Sequence, residues 1–281
     1  MRELDAGLLF EPLRDALLRI NVELPEDVVR ALTAAADKET GPAAREVLTT
    51  IVRNIGIARE KRLPLCQDTG MAWVWLRVGD DVRLTGEPVR EVIHRAVEAA
   101  YAEGLFRKSV VADPLFPRVN TRTNLPPVLH VEFVPGDRVT VAVMTKGFGS
   151  ENKSGLRMLL PTATPDDVMS AVVDLVRAAK GAPCPPTVIG VGLGGTMDAA
   201  ALLSKKALVR ELDDTHPQPE YAALERELLA RLNALGIGAG GLGGLTTCLG
   251  VKLASMPTHI AGMPVAVTVN CWADRKAVVE L

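Results

Sequence analysis

Residues 187–211 read TVIGVGLGGTMDAAALLSKKALVRE. Thr187–Val191 reads as a short strand, Asp198–Glu211 as a helix built of Lys, Ala and Leu, and between them stands Gly190-Val-Gly192-Leu-Gly194-Gly195. The same alternation of strand and helix continues in both directions. Toward the N-terminus, residues 12–20 and 26–36 read as helices, and Thr40-Gly41-Pro42 breaks the pattern. Residues 43–60 then form an amphipathic helix with Val47, Ile51, Ile55 and Ala58 on one face. Met71–Val78 reads as a strand and Glu87–Gly104 as a helix with Val89, Ile93, Ala96 and Ala100 as its apolar stripe. Val128–Val134 and Val139–Met144 read as two strands joined through Pro135-Gly136-Asp137, which predicts a hairpin. Pro165–Lys180 is a helix with Asp166 and Asp167 at its positive end. Toward the C-terminus, Tyr221–Leu235 is a further helix, and residues 244–281 alternate short strands with glycine and proline turns. The fold class is α/β with an α+β admixture, helices packed on mixed sheets. A single domain over 1–281 is expected, with the polar LDDTHPQPE at 212–220 as the one candidate boundary between lobes.

The 281 residues are 48% hydrophobic and 23% charged, ordinary values for a chain that builds a sizeable core. The formal net charge is −2, with no basic stripe to neutralise phosphates, so no nucleic-acid partner is expected. No run of 18 uncharged apolar residues exists, so no membrane span is expected. Met1–Phe10 carries Arg2, Glu3 and Asp5 and lacks the apolar core of a leader, so the expected compartment is the cytoplasm. Residues 105–127, LFRKSVVADPLFPRVNTRTNLPP, cannot form a long helix, and a loop of that length in a compact domain is either functional or disordered.

Several motifs could carry chemistry. Gly190–Gly195 satisfies G-x-G-x-x-G after a strand and before a helix, the context of a dinucleotide site. Yet Glu211, about the right distance on, follows a helix instead of ending a second strand. A tight turn that needs glycine, or backbone approaching a compact inorganic cluster, are the other readings. A second run, Gly236–Gly244, has no Lys-Ser or Lys-Thr after it and is not a phosphate loop; it is either an anion nest or a plain turn. The four cysteines include no C-x-x-C pair. Any one of them could be a small buried apolar residue. However, Cys66 precedes Gln67 and Asp68 in a loop, Cys184 stands in Ala-Pro-Cys-Pro-Pro, and Cys271 in Val-Asn-Cys-Trp-Ala-Asp-Arg. Three thiolates from three turns could hold a [4Fe–4S] cluster and leave one iron open as a Lewis acid. Cys248 lies in an apolar run and reads as a core residue.

The loop CQDTG (66–70), KGFGSENK (146–153), GLGGT (192–196), GGLGG (240–244), PTH (257–259) and Asn270-Cys271 together resemble class I, iron–sulfur fumarases. The likeness is to the α subunit of the split form shared by fumarase and L-tartrate dehydratase, and it runs from about residue 10 to 278. It implies the N-terminal domain fold of that family and a [4Fe–4S] cluster held by Cys66, Cys184 and Cys271. It further implies substrate contacts from Gln67, Asp68, Arg107 and the backbone of Gly149, and catalytic roles for Asp68 and His259. The family more often has glycine where this chain has Phe148. The implied reaction is the reversible hydration of fumarate to (S)-malate, with L-tartrate or mesaconate-type substrates as the alternative. The base that removes the carbon-bound proton would come from a β subunit in an α2β2 assembly. The residues also leave open a nicotinamide-dependent oxidoreductase, on the Gly190–Gly195 motif, and a scaffold whose cysteines are structural.

Overall fold

The structure, a computed structural model, describes every residue from Met1 to Leu281. In chain order its principal elements are β1 (Arg2–Asp5), α1 (Phe10–Val22), α2 (Glu26–Lys38), α3 (Pro42–Lys61), β2 (Met71–Gly79), β3 (Val82–Thr85), α4 (Val89–Glu103), β4 (Val128–Val134) and β5 (Val139–Lys146). There follow α5 (Phe148–Glu151), β6 (Gly155–Leu159), α6 (Pro165–Ala179), β7 (Thr187–Gly195), α7 (Met197–Ala207), α8 (Pro219–Asn233), β8 (Cys248–Thr258), β9 (Met263–Asn270) and β10 (Lys276–Glu280). No helix is long and apolar enough to cross a membrane. The expected mixture of helices on mixed sheets is therefore the observed one.

The chain divides into two compact units. The first comprises Met1–Pro25, Ile55–Phe148 and Arg275–Leu281; the second comprises Glu26–Asn54 and Gly149–Asp274. The polar segment 212–220 lies inside the second unit, as part of the connection between α7 and α8.

In the first unit the sheet order is β10-β5-β2-β4. β5 runs antiparallel to both β10 and β2, and β2 runs parallel to β4. The apolar face of this sheet, with Val74, Leu76, Val78, Val139, Val141 and Val143, joins one core with Leu13, Leu17 and Ile20 of α1 and Ile93, Val97 and Tyr101 of α4. The buried residues of α4 recur as adjacent pairs four apart (Val92 and Ile93, Ala96 and Val97, Ala100 and Tyr101), as one face of an α-helix requires.

The predicted hairpin of β4 and β5 does not form. β2 is inserted between them, and the short link from β4 to β5 crosses the end of β2 instead of folding back. Gly79 donates to Arg138 O (2.9 Å) and Asp81 donates to Gly136 O (3.0 Å). A Cβ on Gly79 would stand 2.2 Å from Gly136 O, so glycine is what lets the link pass. Pro135-Gly136-Asp137 is turn chemistry, but a turn does not dictate which strand its flanks pair with.

In the second unit the order is β6-β9-β7-β8, with β9 antiparallel to β6 and β7 and with β7 parallel to β8. Val172 and Val176 of α6 and Leu228 and Leu232 of α8 meet Ile189, Val191, Val251, Val267 and Val269 in its core. Helix α6 starts on a capping box: Thr164 Oγ1 accepts from Asp167 N (3.3 Å), and Asp167 Oδ2 accepts from Thr164 N (2.7 Å). β7 runs to Gly195, past the predicted end at Val191. Gly190 and Gly192 are thus strand residues, and Cβ atoms there would stand 2.0 Å from Ser204 O and 2.1 Å from Ala200 O. The G-x-G-x-x-G pattern serves close approach of α7 to the sheet. That use accounts for these two glycines without a dinucleotide loop.

Candidate active site

Cys66, Gln67 and Asp68 lie on the loop between α3 and β2, in the first unit. Cys66 and Asp68 are half-buried and Gln67 is exposed. The Cys66 thiol is 3.2 Å from Gln67 Oε1. Asp68 accepts at Oδ1 from Gly70 N (3.0 Å) and at Oδ2 from Phe148 N (2.9 Å). The first bond is the turn contact typical of aspartate; the second ties the carboxylate to the KGFG segment. Each oxygen keeps a second lone pair. A Cβ on Gly147 would stand 2.9 Å from Asp68 Oδ2, so the glycine after Lys146 makes room for this carboxylate. Gly70 has φ +75, and a Cβ there would come within 2.5 Å of the Lys146 backbone, so the loop lies directly on the end of β5.

The loop is fastened at both ends. Leu65 N donates to Asn21 O (2.8 Å). The buried Asn21 side chain accepts from Arg275 Nη1 (3.2 Å) and Thr145 Oγ1 (3.3 Å). At the other end the Tyr101 hydroxyl reaches Gly70 O (2.8 Å) and Thr69 O (3.0 Å), and Thr69 Oγ1 donates to Arg107 O (2.9 Å). Burial is the largest influence on the Tyr101 phenol and pushes its pKa up, so it remains a hydrogen-bond donor. Arg107 itself is exposed and its guanidinium makes no ion pair. The long segment after α4 is ordered: Val111 bridges Asn120, and Asp113 Oδ1 caps the tip by accepting from Leu115 N (2.7 Å) and Phe116 N. None of Asn21, Tyr101, Asn124 and Arg275 carried a signal in the sequence, because each acts through contacts between distant segments.

Cys184 and Cys271 belong to the second unit and meet there. Trp272 N, next to Cys271, donates to Cys184 O (3.3 Å). Cys184 is exposed, with φ +55, between Pro183 and the cis Pro185–Pro186 pair; Cys271 is half-buried. A left-handed backbone at a non-glycine residue costs of order 1 kcal/mol and is kept where the surroundings enforce it. The enforcing surroundings are the second glycine run. Gly240 N donates to Pro185 O (2.8 Å), and a Cβ on Gly241 would lie 2.6 Å from Gly181 Cα. Gly149 is near the same turn, its closest approach being 3.8 Å from a built Cβ to Ala182 O. His259 is exposed in the turn after β8 and accepts at Nδ1 from Ala261 N (3.1 Å). This bond leaves the proton of the neutral ring on Nε2.

Cys248 is the core residue expected. It is 1% exposed, its thiol points to Gly250 O (3.2 Å), and burial pushes its pKa up to about 12. No three His, Cys, Asp or Glu side chains gather as a group that could hold a metal ion. A cubane takes each thiolate on a different iron, so its ligands stand apart. Thiols are donors of the softness that iron–sulfur chemistry uses, and the Cys184 and Cys271 segments are joined through their backbones.

The amides of the glycine run donate to protein acceptors (Gly238 N to Thr247 Oγ1, Gly240 N to Pro185 O, Gly243 N to Ile237 O), and a buried carboxylate stands just past its end. The Glu39 carboxylate, 2% exposed, accepts from Thr40 N, Gly41 N and Leu245 N at 2.8–3.0 Å. Burial acts to raise its pKa, but the amides of Gly41, Leu245, Thr40 and Thr246 outweigh it, and the net direction is down. A depressed carboxylate contributes stability that is present above the ordinary range and is lost as pH falls through the lowered value. Glu39→Gln should therefore lower Tm at pH 7 by roughly 4–8 °C, as for about 2 kcal/mol of charge-assisted bonding. The gap to wild type should narrow below about pH 4. Thermal melts over that range check both the size and the sign.

The chain belongs to the fumarate hydratase (Fumerase) family, whose model matches residues 11–280, and so to a class of hydro-lyases. Among its relatives, a putative L(+)-tartrate dehydratase subunit alpha from Methanocaldococcus jannaschii is 41% identical over 92% of both chains. L(+)-tartrate dehydratase subunit alpha from Escherichia coli strain UTI89 is 32% identical over 93% of this chain and 87% of its own length. The O157:H7 form is 33% identical over 92% and 85%.

Proposed function

We propose that this chain is the cluster-bearing α subunit of a two-subunit iron–sulfur hydro-lyase acting on a four-carbon dicarboxylate. The observation that carries the reading is the pairing of Cys184 with the Cys271 segment through Trp272 N and Cys184 O. Cys66, Cys184 and Cys271 are the proposed thiolate ligands. When bound, the cluster supplies an iron corner without a protein ligand, a Lewis acid for a substrate oxygen.

The chain's own residues do the remaining work. Arg107, exposed and without an ion pair, offers a bidentate fork to a substrate carboxylate. Gln67 and the Gly149 amide add neutral hydrogen bonds that orient the substrate. Asp68 delivers a proton to the departing hydroxyl oxygen, with His259 as an auxiliary acid or base. The carbon-bound proton passes to a base on a β subunit as the carbon–oxygen bond breaks and the alkene forms; the base then releases it to solvent, from which Asp68 is reprotonated. The reducing cytoplasm suits such thiolates, and α2β2 is the proposed stoichiometry.

The first substrate reading is (S)-malate and fumarate, in line with the family description. L(+)-tartrate is the second, favoured by the names of the relatives. The test is anaerobic reconstitution of the full chain with iron and sulfide, alone and with its β partner, followed by assay of (S)-malate, fumarate, L(+)-tartrate and mesaconate. Turnover is expected only with both subunits, and it should decay on exposure to air. A loaded complex inert toward all four compounds would overturn the reading, and the ranking of kcat/KM between malate and tartrate selects the substrate.

A further inference from the structure

We propose that Asn124 is a positioning residue that yokes the Cys66–Gly70 loop to the segment carrying Arg107. Its side chain is completely buried and faces two ways. Oδ1 accepts from Ser109 N (2.7 Å) and Val110 N (3.2 Å), just beyond Arg107. Nδ2 donates to Gly70 O (3.2 Å), the carbonyl that also receives the Tyr101 hydroxyl. Acceptors on one side and a donor on the other fix the amide's orientation. Thr69 Oγ1 and Arg107 O make a second strut between the same two segments. The backbone of Asn124 has φ +65, a conformation that asparagine tolerates better than other side chains with a Cβ. Only asparagine combines this backbone with two acceptor bonds and one donor bond.

A buried amide lowers the energy only when its bonds are all made, so the two segments hold one relative position. Asp68 lies two residues before Gly70, and Arg107 two before Ser109. The separation of the proposed proton donor from the proposed carboxylate clamp is thus set by Asn124 and Tyr101. This inference rests on the roles proposed above for Asp68 and Arg107, whereas the yoke itself does not depend on a bound cluster.

Asn124→Asp tests it: the acceptor bonds survive, but the donor to Gly70 O becomes an acceptor facing a carbonyl. In the full-length chain without cluster, iodoacetamide labelling of each cysteine is followed by mass spectrometry. Cys66 should react about fivefold faster than in wild type, the effect of one lost hydrogen bond on a local opening. Cys184, Cys271 and Cys248 should be unchanged. In the loaded complex with the β partner, KM should rise and kcat should fall together. Tyr101→Phe, which removes only the hydroxyl, should give the same selective labelling and stands in if Asn124→Asp does not fold. Unchanged Cys66 labelling in the folded variant, or equal acceleration at all four cysteines, would overturn the yoke. Selective labelling with no hydro-lyase activity in the wild-type complex would instead sink the functional reading and leave the yoke standing.

Discussion

Anaerobic reconstitution of Cys184→Ser should yield a folded chain that fails to take up a full cluster and, with its β partner, turns over at least about 1000-fold more slowly than wild type. The scale follows from the several kcal/mol of charge stabilisation that a Lewis-acidic metal supplies, each 1.36 kcal/mol being tenfold in rate. Folding should survive because the Cys184 side chain is exposed and its turn is held by backbone bonds from Trp272 N and Gly240 N, which serine leaves in place. Cys271→Ser should behave alike. Cys248→Ala is the control: it removes a buried thiol from the core, costs some stability, and should leave iron content and turnover intact. Iron and sulfide analysis, absorbance near 400 nm and activity in the same preparations separate these outcomes. Full cluster content in Cys184→Ser would end the ligand assignment.

The largest effect on the fold is expected at Gly192. An alanine Cβ would stand 2.1 Å from Ala200 O, 2.6 Å from Ser204 N and 3.0 Å from Leu203 Cβ. All belong to α7, and two are backbone atoms that cannot rotate away. The helix would have to lift from β7, the strand paired with both β8 and β9. A cost of about 3 kcal/mol or more follows, seen as a fall in Tm of roughly 6–12 °C or as insoluble expression. The same substitution separates packing from nucleotide binding. A dinucleotide site would lose affinity while the protein kept its stability, whereas a packing glycine loses stability in the absence of any ligand. Differential scanning of Gly192→Ala beside Gly136→Ala, where a Cβ meets nothing within 4 Å and only the positive φ is strained, calibrates the effect.

How much of this was legible in the sequence depends on the range of the forces involved. The helices were readable because their stripes are local: Ile93, Ala96 and Ala100 on α4, and Ile51, Ile55 and Ala58 on α3, are buried as the 3.6-residue period requires. The break at Thr40-Gly41-Pro42 was readable for the same reason. The partner of β4 was not, since strand pairing is decided by chain segments far apart, and Gly79 makes sense only once the crossing link is seen. The cysteines divided correctly into one apolar-run residue and three turn residues, because proline and glycine announce turns. The yoke at Asn124 and the anchor at Asn21 had no local signature, as an asparagine in a polar loop looks the same whether it is solvated or completely buried.

The first unit is closed by a strand that follows the whole second unit's sheet in the chain. As the ribosome delivers the chain, Val139–Lys146 emerges long before Lys276–Glu280, which pairs along its open side. Arg275, the guanidinium bonded to Asn21 beneath the Cys66 loop, emerges with that late strand. Until β10 is in place, β5 carries an unpaired edge of the sort that invites wrong partners. Completion of this unit therefore waits on a pairing between segments far apart in the chain, and the anchor beneath the Cys66 loop arrives with it.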